Sequence, residues 1–272
     1  MRAKISACIG RLRDMQLHLQ RILHERHYDA PSCTLKYICE THPKSDSLIV
    51  VFSGCTGAGV PARYNYMRTL RDIPCNKLFI LDDYGLDRRG GYYLGEYPDF
   101  HFEQATTALI RDTIKRTHVK HCYFAGSSKG GWAGLLFGIK LDLPVEKHVI
   151  IGAPQYLLGQ YLYHPANRIT FDGICMQNNE SDVVAALDHY LQNVIHAGST
   201  AANKPDVYLH YSDKEQTYQE HIAFLIEDLK QNGYQLIEDV ADYEDHDEVS
   251  SFYPAFLLDS LKKSMSDCSK VR

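Results

Sequence analysis

The sequence lacks the features that define several large classes of protein. It has one tryptophan among 272 residues, and no stretch approaches the ~18 consecutive apolar residues that a membrane-spanning helix needs. Its N-terminus has no continuous apolar segment like that of a secretory signal. There is no internal repeat and no low-complexity tract. These absences predict a globular chain with no transmembrane segment.

Charge and cysteine spacing exclude further classes. The net charge is −5, and lysine and arginine form no basic stripe, so no nucleic-acid partner is expected. The eight cysteines are scattered without a Cys-x-x-Cys pair, which leaves zinc-ribbon and thioredoxin-like sites unsupported, and we predict no metal ligands. Several cysteines, such as Cys122, lie in apolar runs typical of buried thiols. This pattern predicts a reduced, cytoplasmic protein.

Strand-like runs alternate with helical patterns along most of the chain. Strand patterns cover residues 33–39, 48–52, 78–81, 148–151, 207–211 and 234–240, and helical patterns cover residues 102–116, 217–231 and 249–263. This alternation predicts an α/β protein with a doubly wound, mostly parallel sheet. Helical periodicity at residues 9–25 predicts an N-terminal helical extension over residues 1–32. Residues 33–272 then form one domain, with a helical insertion near residues 155–200 as a small cap.

The most specific motif lies between an apolar strand pattern that begins at His121 and a helix rich in small residues. The chain turns there through Gly-Ser-Ser-Lys-Gly at residues 126–130. This is Gly-x-Ser-x-Gly between a strand and a helix, which is the context of a nucleophile elbow. Such a sharp turn requires very small residues two positions before and after the nucleophile, and Gly126 and Gly130 meet that requirement for Ser128. We therefore predict Ser128 as the nucleophile.

Two phosphate-binding turns are the alternatives to this interpretation. A dinucleotide-binding turn requires Gly-x-Gly-x-x-Gly, and no glycine precedes Gly126 at that spacing. A P-loop requires lysine followed directly by serine or threonine, whereas Lys129 is followed by Gly130. Because neither pattern fits, a nucleotide-dependent enzyme is the weaker hypothesis.

A serine nucleophile needs a histidine base and an acid that orients it, and after this kind of turn the chain order is serine, acid, histidine. His246 lies between the last predicted strand and the last predicted helix, where that order places the base. The acid is expected after the strand at 207–211, where Asp213 and Glu215 compete. If Ser212 is the small turn residue that often precedes the acid by three positions, Glu215 is the acid and Asp213 the alternative.

The oxyanion of a tetrahedral intermediate needs backbone N–H donors. The N–H of Ser128 itself or that of Lys129 lies at a helix N-terminus, where negative charge is favoured, and we assign one donor of the oxyanion hole to Lys129. The second donor is expected from the loop that begins Ser53-Gly54-Cys55 after an early strand. Gly54 or Cys55 would offer this N–H, and we assign it to Gly54.

The segment from Phe124 to Gly131 resembles the Gly-Ser-Ser-Lys-Gly-Gly elbow of α/β-hydrolase-type polysaccharide O-acetyltransferases from bacterial capsule clusters. A related elbow occurs in an accessory-secretion family that acts on glycosylated adhesins. Weaker matches lie at residues 63–66, 91–93 and 246–247, so that the resemblance spans residues 48–262. Where the capsule enzymes carry an Asp as the triad acid, this chain offers Ser212-Asp213-Lys214-Glu215.

The resemblance implies the α/β-hydrolase fold and a Ser-His-acid triad that performs acyl transfer. The implied reaction is O-acetyl transfer to, or removal from, a bacterial surface polysaccharide. Acetyl-CoA is the implied co-substrate, no cofactor is bound permanently, and polysaccharide-assembly proteins are candidate partners. The implied substrates are carbohydrates or small esters.

Two other functions remain as alternatives. One is a general carboxylesterase, and the other is a catalytically silent hydrolase-fold module that binds glycan or protein. Silent relatives tend to lose the nucleophile or the base, whereas this chain has both Ser128 and His246. For a transferase, we expect the sugar-binding surface in the Tyr- and Gly-rich loop at residues 84–100, which includes Arg88 and Arg89.

Overall fold

The computed structural model describes residues 23–270, and one sheet of eight strands forms the centre of this part of the chain. The strands are β1 (Glu25–Asp29), β2 (Thr34–Glu40), β3 (Ser47–Phe52), β4 (Asn76–Leu81), β5 (His121–Ser127), β6 (Glu146–Gly152), β7 (Asp206–Ser212) and β8 (Leu236–Ala241). Their order across the sheet is β1-β2-β4-β3-β5-β6-β7-β8. The β1–β2 and β2–β4 pairs are antiparallel, and all the other pairs are parallel. The predicted doubly wound, mostly parallel sheet is confirmed.

Helices cover both faces of the sheet. They are α1 (His101–Thr117), α2 (Lys129–Lys140), α3 (Leu158–Tyr163), α4 (Arg168–Cys175), α5 (Glu180–Asp188), α6 (Tyr190–Gly198), α7 (Ala223–Gln231) and α8 (Val249–Lys270). Side chains of β3 alternate between two cores: Val50 joins the one beneath α1 and α2, and Val51 joins the one beneath α8. Burial on both faces explains why β3 is apolar from Leu48 to Phe52. None of the described helices is long and apolar enough to cross a membrane.

Helices α3 to α6 occupy the connection between β6 and β7, and a 3₁₀ turn at Pro165–Asn167 separates α3 from α4. These helices lie where the sequence predicts a helical insertion, near residues 155–200. Helix α6 packs against α2, and α3 packs against α5. The connection therefore adds a helical layer beside the helix that follows the Gly-x-Ser-x-Gly turn.

Residues 25–29 differ from the prediction of a helical extension over residues 1–32. Glu25–Asp29 form β1, which pairs with β2 at the edge of the sheet. Its side chains are mostly polar and partly exposed, as is common in an edge strand, and the apolar alternation that would have indicated a strand is missing. Residues 1–22, which carry most of the predicted helix at 9–25, lie outside the described residues.

The direction of the strands determines where the candidate site lies. Because β5, β7 and β8 are parallel, the turns that follow them meet at the same edge of the sheet. These three turns carry Ser128, Glu215 and His246. Residues that are far apart in the sequence are thus brought to one place by the topology alone.

Candidate active site

Ser128 lies on a strained turn between β5 and α2. Its backbone dihedral angles are φ 52° and ψ −124°, which non-glycine residues rarely adopt. Its N–H donates to the carbonyl of Gly152 at 2.8 Å, and its own carbonyl accepts from the N–H of Trp132 at 2.9 Å. Bonds on both sides hold the unusual conformation, which turns the side chain out of the strand direction.

The glycines on either side of Ser128 are required by close backbone contacts. A Cβ atom on Gly126 would lie 2.4 Å from the carbonyl oxygen of Gly130. A Cβ atom on Gly130 would lie 2.6 Å from the carbonyl oxygen of Phe52 in β3. Each contact involves backbone, which cannot move aside cheaply. The steric requirement inferred from the Gly-x-Ser-x-Gly spacing is therefore present in the fold.

Ser128, His246 and Glu215 form a chain of side-chain contacts. The Oγ atom of Ser128 lies 2.9 Å from Nε2 of His246, and Nδ1 of His246 lies 3.0 Å from Oε2 of Glu215. The Glu215 side chain is completely buried, whereas that of His246 is 27% exposed. Asp213, the other candidate acid, is exposed to solvent. The histidine therefore has one nitrogen towards the serine and one towards a buried carboxylate.

Local hydrogen bonds connect the turn that carries Glu215 to the turn that carries His246. The hydroxyl of Ser212, at the end of β7, donates to the carbonyl of Tyr243 at 2.5 Å. The 3₁₀ turn His246–Glu248 begins with a capping box, in which the Asp245 N–H donates to the Glu248 carboxylate at 3.2 Å. This arrangement limits the orientations of both turns, as short loops that carry catalytic groups require.

Gln155 belongs to the same cluster, although no sequence motif pointed to it. Its side chain is buried, and its Oε1 accepts a hydrogen bond from the hydroxyl of Tyr92 at 3.1 Å. That bond directs Nε2 towards Ser128 Oγ and His246 Nε2, each 3.4 Å away. Gln155 follows β6 in a turn with no recognisable pattern, so only the fold reveals its position.

The two predicted oxyanion donors differ in their surroundings. Lys129 is the first residue of α2, where a backbone N–H has no partner within the helix. The N–H of Gly54 donates to Oδ1 of Asn65 at 2.9 Å, so it is already in use, and this geometry does not support the assignment to Gly54. The N–H of Cys55, the alternative, forms no hydrogen bond with another described residue. Asn65 lies 11 residues further along the chain, and no sequence motif links it to Gly54.

The side chain of Lys129 has a separate place in the structure. It is completely buried, and its Nζ atom lies 3.0 Å from Oδ2 of Asp82, which is buried as well. Nζ also donates to the carbonyls of Asp82 at 3.1 Å and Arg89 at 2.9 Å, so all three ammonium protons have acceptors. A Cβ atom on Gly90 would lie 1.9 Å from Nζ, which explains the glycine there.

Asp82 also anchors the loop at residues 84–100. Its Oδ1 accepts from the N–H of Gly91 at 3.1 Å, and its Oδ2 accepts from the N–H of Tyr93 at 3.0 Å. The rings of Tyr92 and Tyr93 are buried, and this burial raises the pKa of both phenols. These two rings therefore pack in the core, contrary to the expectation that the loop presents them to a sugar.

A cavity of about 810 Å³ lies beside His246. Tyr161 of the cap and Phe224 of α7 contribute aromatic rings to its wall. Its charged lining residues are the carboxylates of Glu220, Glu244 and Asp245, and no lysine or arginine of the described chain lines it. The cavity therefore favours neutral or positively charged ligands.

His221 also lines this cavity and remains uncharged at neutral pH. Burial lowers the pKa of its imidazole to about 4. Its Nδ1 accepts a hydrogen bond from the N–H of Leu157 at 3.2 Å, and an imidazole with an accepting nitrogen is neutral. His221 lies in the π-helical turn Tyr218–Ile222 that leads into α7.

Comparison with known proteins identifies the fold. No protein-family model matches the chain, and no curated protein matches it in sequence. Among solved structures, the capsule O-acetyltransferase of Neisseria meningitidis serogroup A superposes with a TM-score of 0.70 at 19% identity, over 87% of this chain and 94% of that chain. A histidine-to-alanine mutant of that enzyme is known in complex with CoA.

Two further neighbours have the same architecture. The Glycosylation Associate Protein (Gap123) complex from Streptococcus agalactiae matches with a TM-score of 0.65 at 17% identity, over 85% of this chain and 45% of that chain. An S-formylglutathione hydrolase from Agrobacterium tumefaciens matches with a TM-score of 0.59 at 13% identity, over 86% of this chain and 92% of that chain. The fold that the resemblance implied is confirmed: the chain has the α/β-hydrolase fold.

Proposed function

We propose that this protein is a serine acyl-transfer enzyme in which Ser128 forms a covalent acyl-enzyme. The observation that carries the proposal is the 2.9 Å separation of Ser128 Oγ and His246 Nε2, with Glu215 3.0 Å behind the histidine. Serine nucleophiles act through this combination of base and orienting acid. Retention of all three groups in bonding contact favours an active enzyme over a catalytically silent binding module.

In the first half of the proposed reaction, His246 accepts the proton of the Ser128 hydroxyl as Oγ attacks the acyl carbonyl. Glu215 holds the imidazole in the required tautomer and stabilises the imidazolium. The N–H groups of Lys129 and Cys55 stabilise the tetrahedral oxyanion, and His246 gives its proton to the leaving group. In the second half, His246 takes a proton from the acceptor hydroxyl, which attacks the acyl-enzyme. The proton then returns to Ser128 as the product ester or acid leaves.

Hydrolysis of p-nitrophenyl acetate tests this part of the proposal. Ser128→Ala should lower kcat by about 10⁴-fold or more, because it removes the nucleophile. Ser127→Ala is the matched control, since the Ser127 hydroxyl lies 2.6 Å from the hydroxyl of Tyr66 and takes no part in the proposed reaction. The control should retain most of the activity. Full activity of Ser128→Ala with loss in Ser127→Ala would reject the assignment of the nucleophile.

The acceptor that we propose is a carbohydrate hydroxyl, with acetyl-CoA as the acyl donor. The names of the capsule and glycosylation-associated neighbours support this choice, as does the cavity beside His246 with the rings of Tyr161 and Phe224. A bound nucleophile reaches effective molarities of ~10⁵ M, which exceeds the ~55 M of water. Because carboxylates line the cavity, we propose a neutral or amino sugar rather than an anionic one.

Acetyl-CoA supplied with neutral, amino-bearing and anionic polysaccharides tests the acceptor, with acetylated glycan and free acetate measured together. We expect acetylation of a neutral or amino-bearing polymer, and Phe224→Ala should raise KM for that polymer while leaving p-nitrophenyl acetate hydrolysis unchanged. If every polymer leaves acetate release unaffected while small esters are hydrolysed well, the protein is a carboxylesterase. Preference for anionic polymers would contradict the role given to the cavity.

The proposed reaction also suggests where the protein works. Acetyl-CoA is an intracellular metabolite, and the described cysteines, including the exposed Cys55, are free thiols. We therefore propose a cytoplasmic location, with polysaccharide-assembly proteins as partners. A fractionation experiment with the tagged full-length chain distinguishes this location from an extracellular one.

A further inference from the structure

A second cluster of polar side chains lies where the central strands β5 and β6 begin, at the opposite end of these strands from Ser128. His121 is the first residue of β5, and Glu146 is the first residue of β6 and the register partner of His121. His148 lies two residues further along β6, on the same face as Glu146 because side chains alternate along a strand. These three groups lie on the face that α8 covers, where Tyr123 also packs.

The imidazoles of the cluster direct unpartnered nitrogens towards the same carboxylate. Nδ1 of His121 lies 3.1 Å from Oε2 of Glu146, and Nε2 of His148 lies 3.6 Å from Oε1. His121 is 9% exposed and His148 is 3% exposed, and neither nitrogen forms a hydrogen bond with a described residue. Buried polar atoms without partners are rare and call for an explanation.

The spacing of these atoms matches what one metal ion requires. Nitrogen and oxygen ligands at 2.0–2.2 Å from a tetrahedral ion are ~3.4 Å from one another. The separations of 3.1 Å to Oε2 and 3.6 Å to Oε1 of Glu146 lie on either side of that value, and one ligand atom from each of the three residues lies within 4.8 Å of the others. Glu146 is exposed, so an ion could enter from solvent.

The surroundings of His148 support the same interpretation. Its other nitrogen, Nδ1, lies 3.3 Å from Oγ of Ser264 on α8 and 3.7 Å from Oδ2 of Asp206 on β7. Its ring stacks on that of Tyr123, with centroids 4.8 Å apart. Histidines that bind metals usually have the second nitrogen held by a carboxylate or another polar group, which fixes the tautomer and the ring orientation.

We propose that His121, Glu146 and His148 bind one divalent transition-metal ion, with Zn²⁺ as the ion that this set of ligands suits, and with the fourth coordination position open to water. The ligands come from the beginnings of two paired strands, so the ion would fasten β5 to β6 at this edge. The length of β5, at ~3.3 Å per residue, separates this site from the elbow by roughly 20 Å. The ion would therefore affect the stability of the protein rather than the chemistry at Ser128. The prediction of no metal ligands did not anticipate this site because strand pairing, not sequence spacing, assembles it.

Titration of the full-length chain with Zn²⁺ in an isothermal titration calorimeter, together with thermal unfolding with and without Zn²⁺, tests the proposal. We expect one tight equivalent and an increase in Tm, because an ion that binds only the folded state stabilises it. Glu146→Gln should weaken this binding by at least about tenfold. It should fold normally, because Glu146 is largely exposed. Asp206→Asn, outside the proposed coordination sphere, should have a smaller effect.

His196→Gln is the matched control, because His196 is an exposed histidine at the end of α6. It should leave the tight equivalent unchanged. With Co²⁺ as the probe, the wild type should show visible absorption bands of a tetrahedral complex, and Glu146→Gln should lose them. If wild type and Glu146→Gln bind Zn²⁺ equally, or neither binds it, or the Co²⁺ bands persist in Glu146→Gln, the proposal is wrong.

Discussion

Lys129, which follows the candidate nucleophile, forms an ion pair with Asp82, and neither side chain is exposed to solvent. The ammonium group has three acceptors, and the carboxylate also accepts backbone N–H groups of the loop that follows β4. Lys129 begins the helix after the elbow, so the pair fastens that loop to α2. The elbow lysine therefore has a structural task in addition to its backbone N–H.

Removal of one partner of this pair should destabilise the protein strongly. Asp82→Asn leaves the buried ammonium without its counter-charge, and we expect a loss of about 3–5 kcal/mol in the free energy of unfolding. Urea denaturation followed by circular dichroism measures this loss. Asp242→Asn is the control, since Asp242 pairs with Lys214 at an exposed position and should cause no measurable change. Equal effects of the two substitutions would show that burial of the pair is unimportant.

The identity of the acid can be decided by a direct comparison. Glu215→Gln removes the charge behind His246 and should lower kcat by about 10³–10⁴-fold without unfolding the protein. Asp213→Asn changes an exposed side chain two residues away and should retain most of the activity. Both variants are assayed with p-nitrophenyl acetate, and circular dichroism checks their folding. The reverse ranking would transfer the role to Asp213.

Gln155 should contribute to the reaction by positioning Ser128 and His246. Gln155→Ala removes an amide nitrogen that lies 3.4 Å from Ser128 Oγ and from His246 Nε2. We expect kcat to fall about tenfold with little change in KM, because the loss corresponds to one hydrogen bond. Tyr92→Phe frees the amide to rotate, since Tyr92 holds its oxygen, and should cause a smaller loss of kcat. A rise in KM with kcat unchanged would instead indicate a contact with the substrate alone.

The buried His221 should make stability depend on pH. The unfolded chain binds a proton at this residue below about pH 6.5, whereas burial lowers the pKa to about 4 in the folded protein. Between these values the unfolded state binds more protons than the folded state. The free energy of unfolding therefore has its full value above pH 6.5 and falls as the pH drops towards 4. His221→Asn keeps an acceptor for the N–H of Leu157 and cannot be protonated in this range.

Urea denaturation at several pH values between 4 and 7 tests this expectation. The free energy of unfolding should rise less steeply with pH in His221→Asn than in wild type, by up to about 1.4 kcal/mol per pH unit in the middle of the range. Because all other titrating groups are common to both proteins, the difference isolates His221. Parallel curves would mean that the histidine titrates equally in the folded and unfolded states.

The sequence predicted the parts of the fold and site that depend on local sterics and chain order. The glycines around Ser128 are necessary because a Cβ atom on Gly126 would lie 2.4 Å, and one on Gly130 2.6 Å, from a backbone oxygen. This steric requirement is visible in the sequence as the Gly-x-Ser-x-Gly spacing. The position of His246 follows from the order of strands and helices. Contact with Glu215 rather than Asp213 agrees with the turn spacing after β7.

Other features depend on contacts between distant segments and have no local pattern. Asn65 engages the N–H of Gly54, and Tyr92 orients Gln155, yet each pair is brought together only by folding. The tyrosines of the loop at residues 84–100 could face either solvent or core on sequence grounds. The hydrogen bond that Asp82 accepts from the backbone N–H of Tyr93 turns this residue towards the core.

The central claim is that Ser128 becomes acylated, and peptide mass spectrometry of protein quenched after brief exposure to p-nitrophenyl acetate tests it most directly. We predict an acetyl group on the peptide that contains Ser128, localised to that residue by fragmentation and absent from Ser128→Ala. Its amount should fall sharply in His246→Ala, because the base that activates the hydroxyl is lost. Acetylation at Ser127 or at the Lys129 amine, with Ser128 unmodified in an active enzyme, would contradict the account.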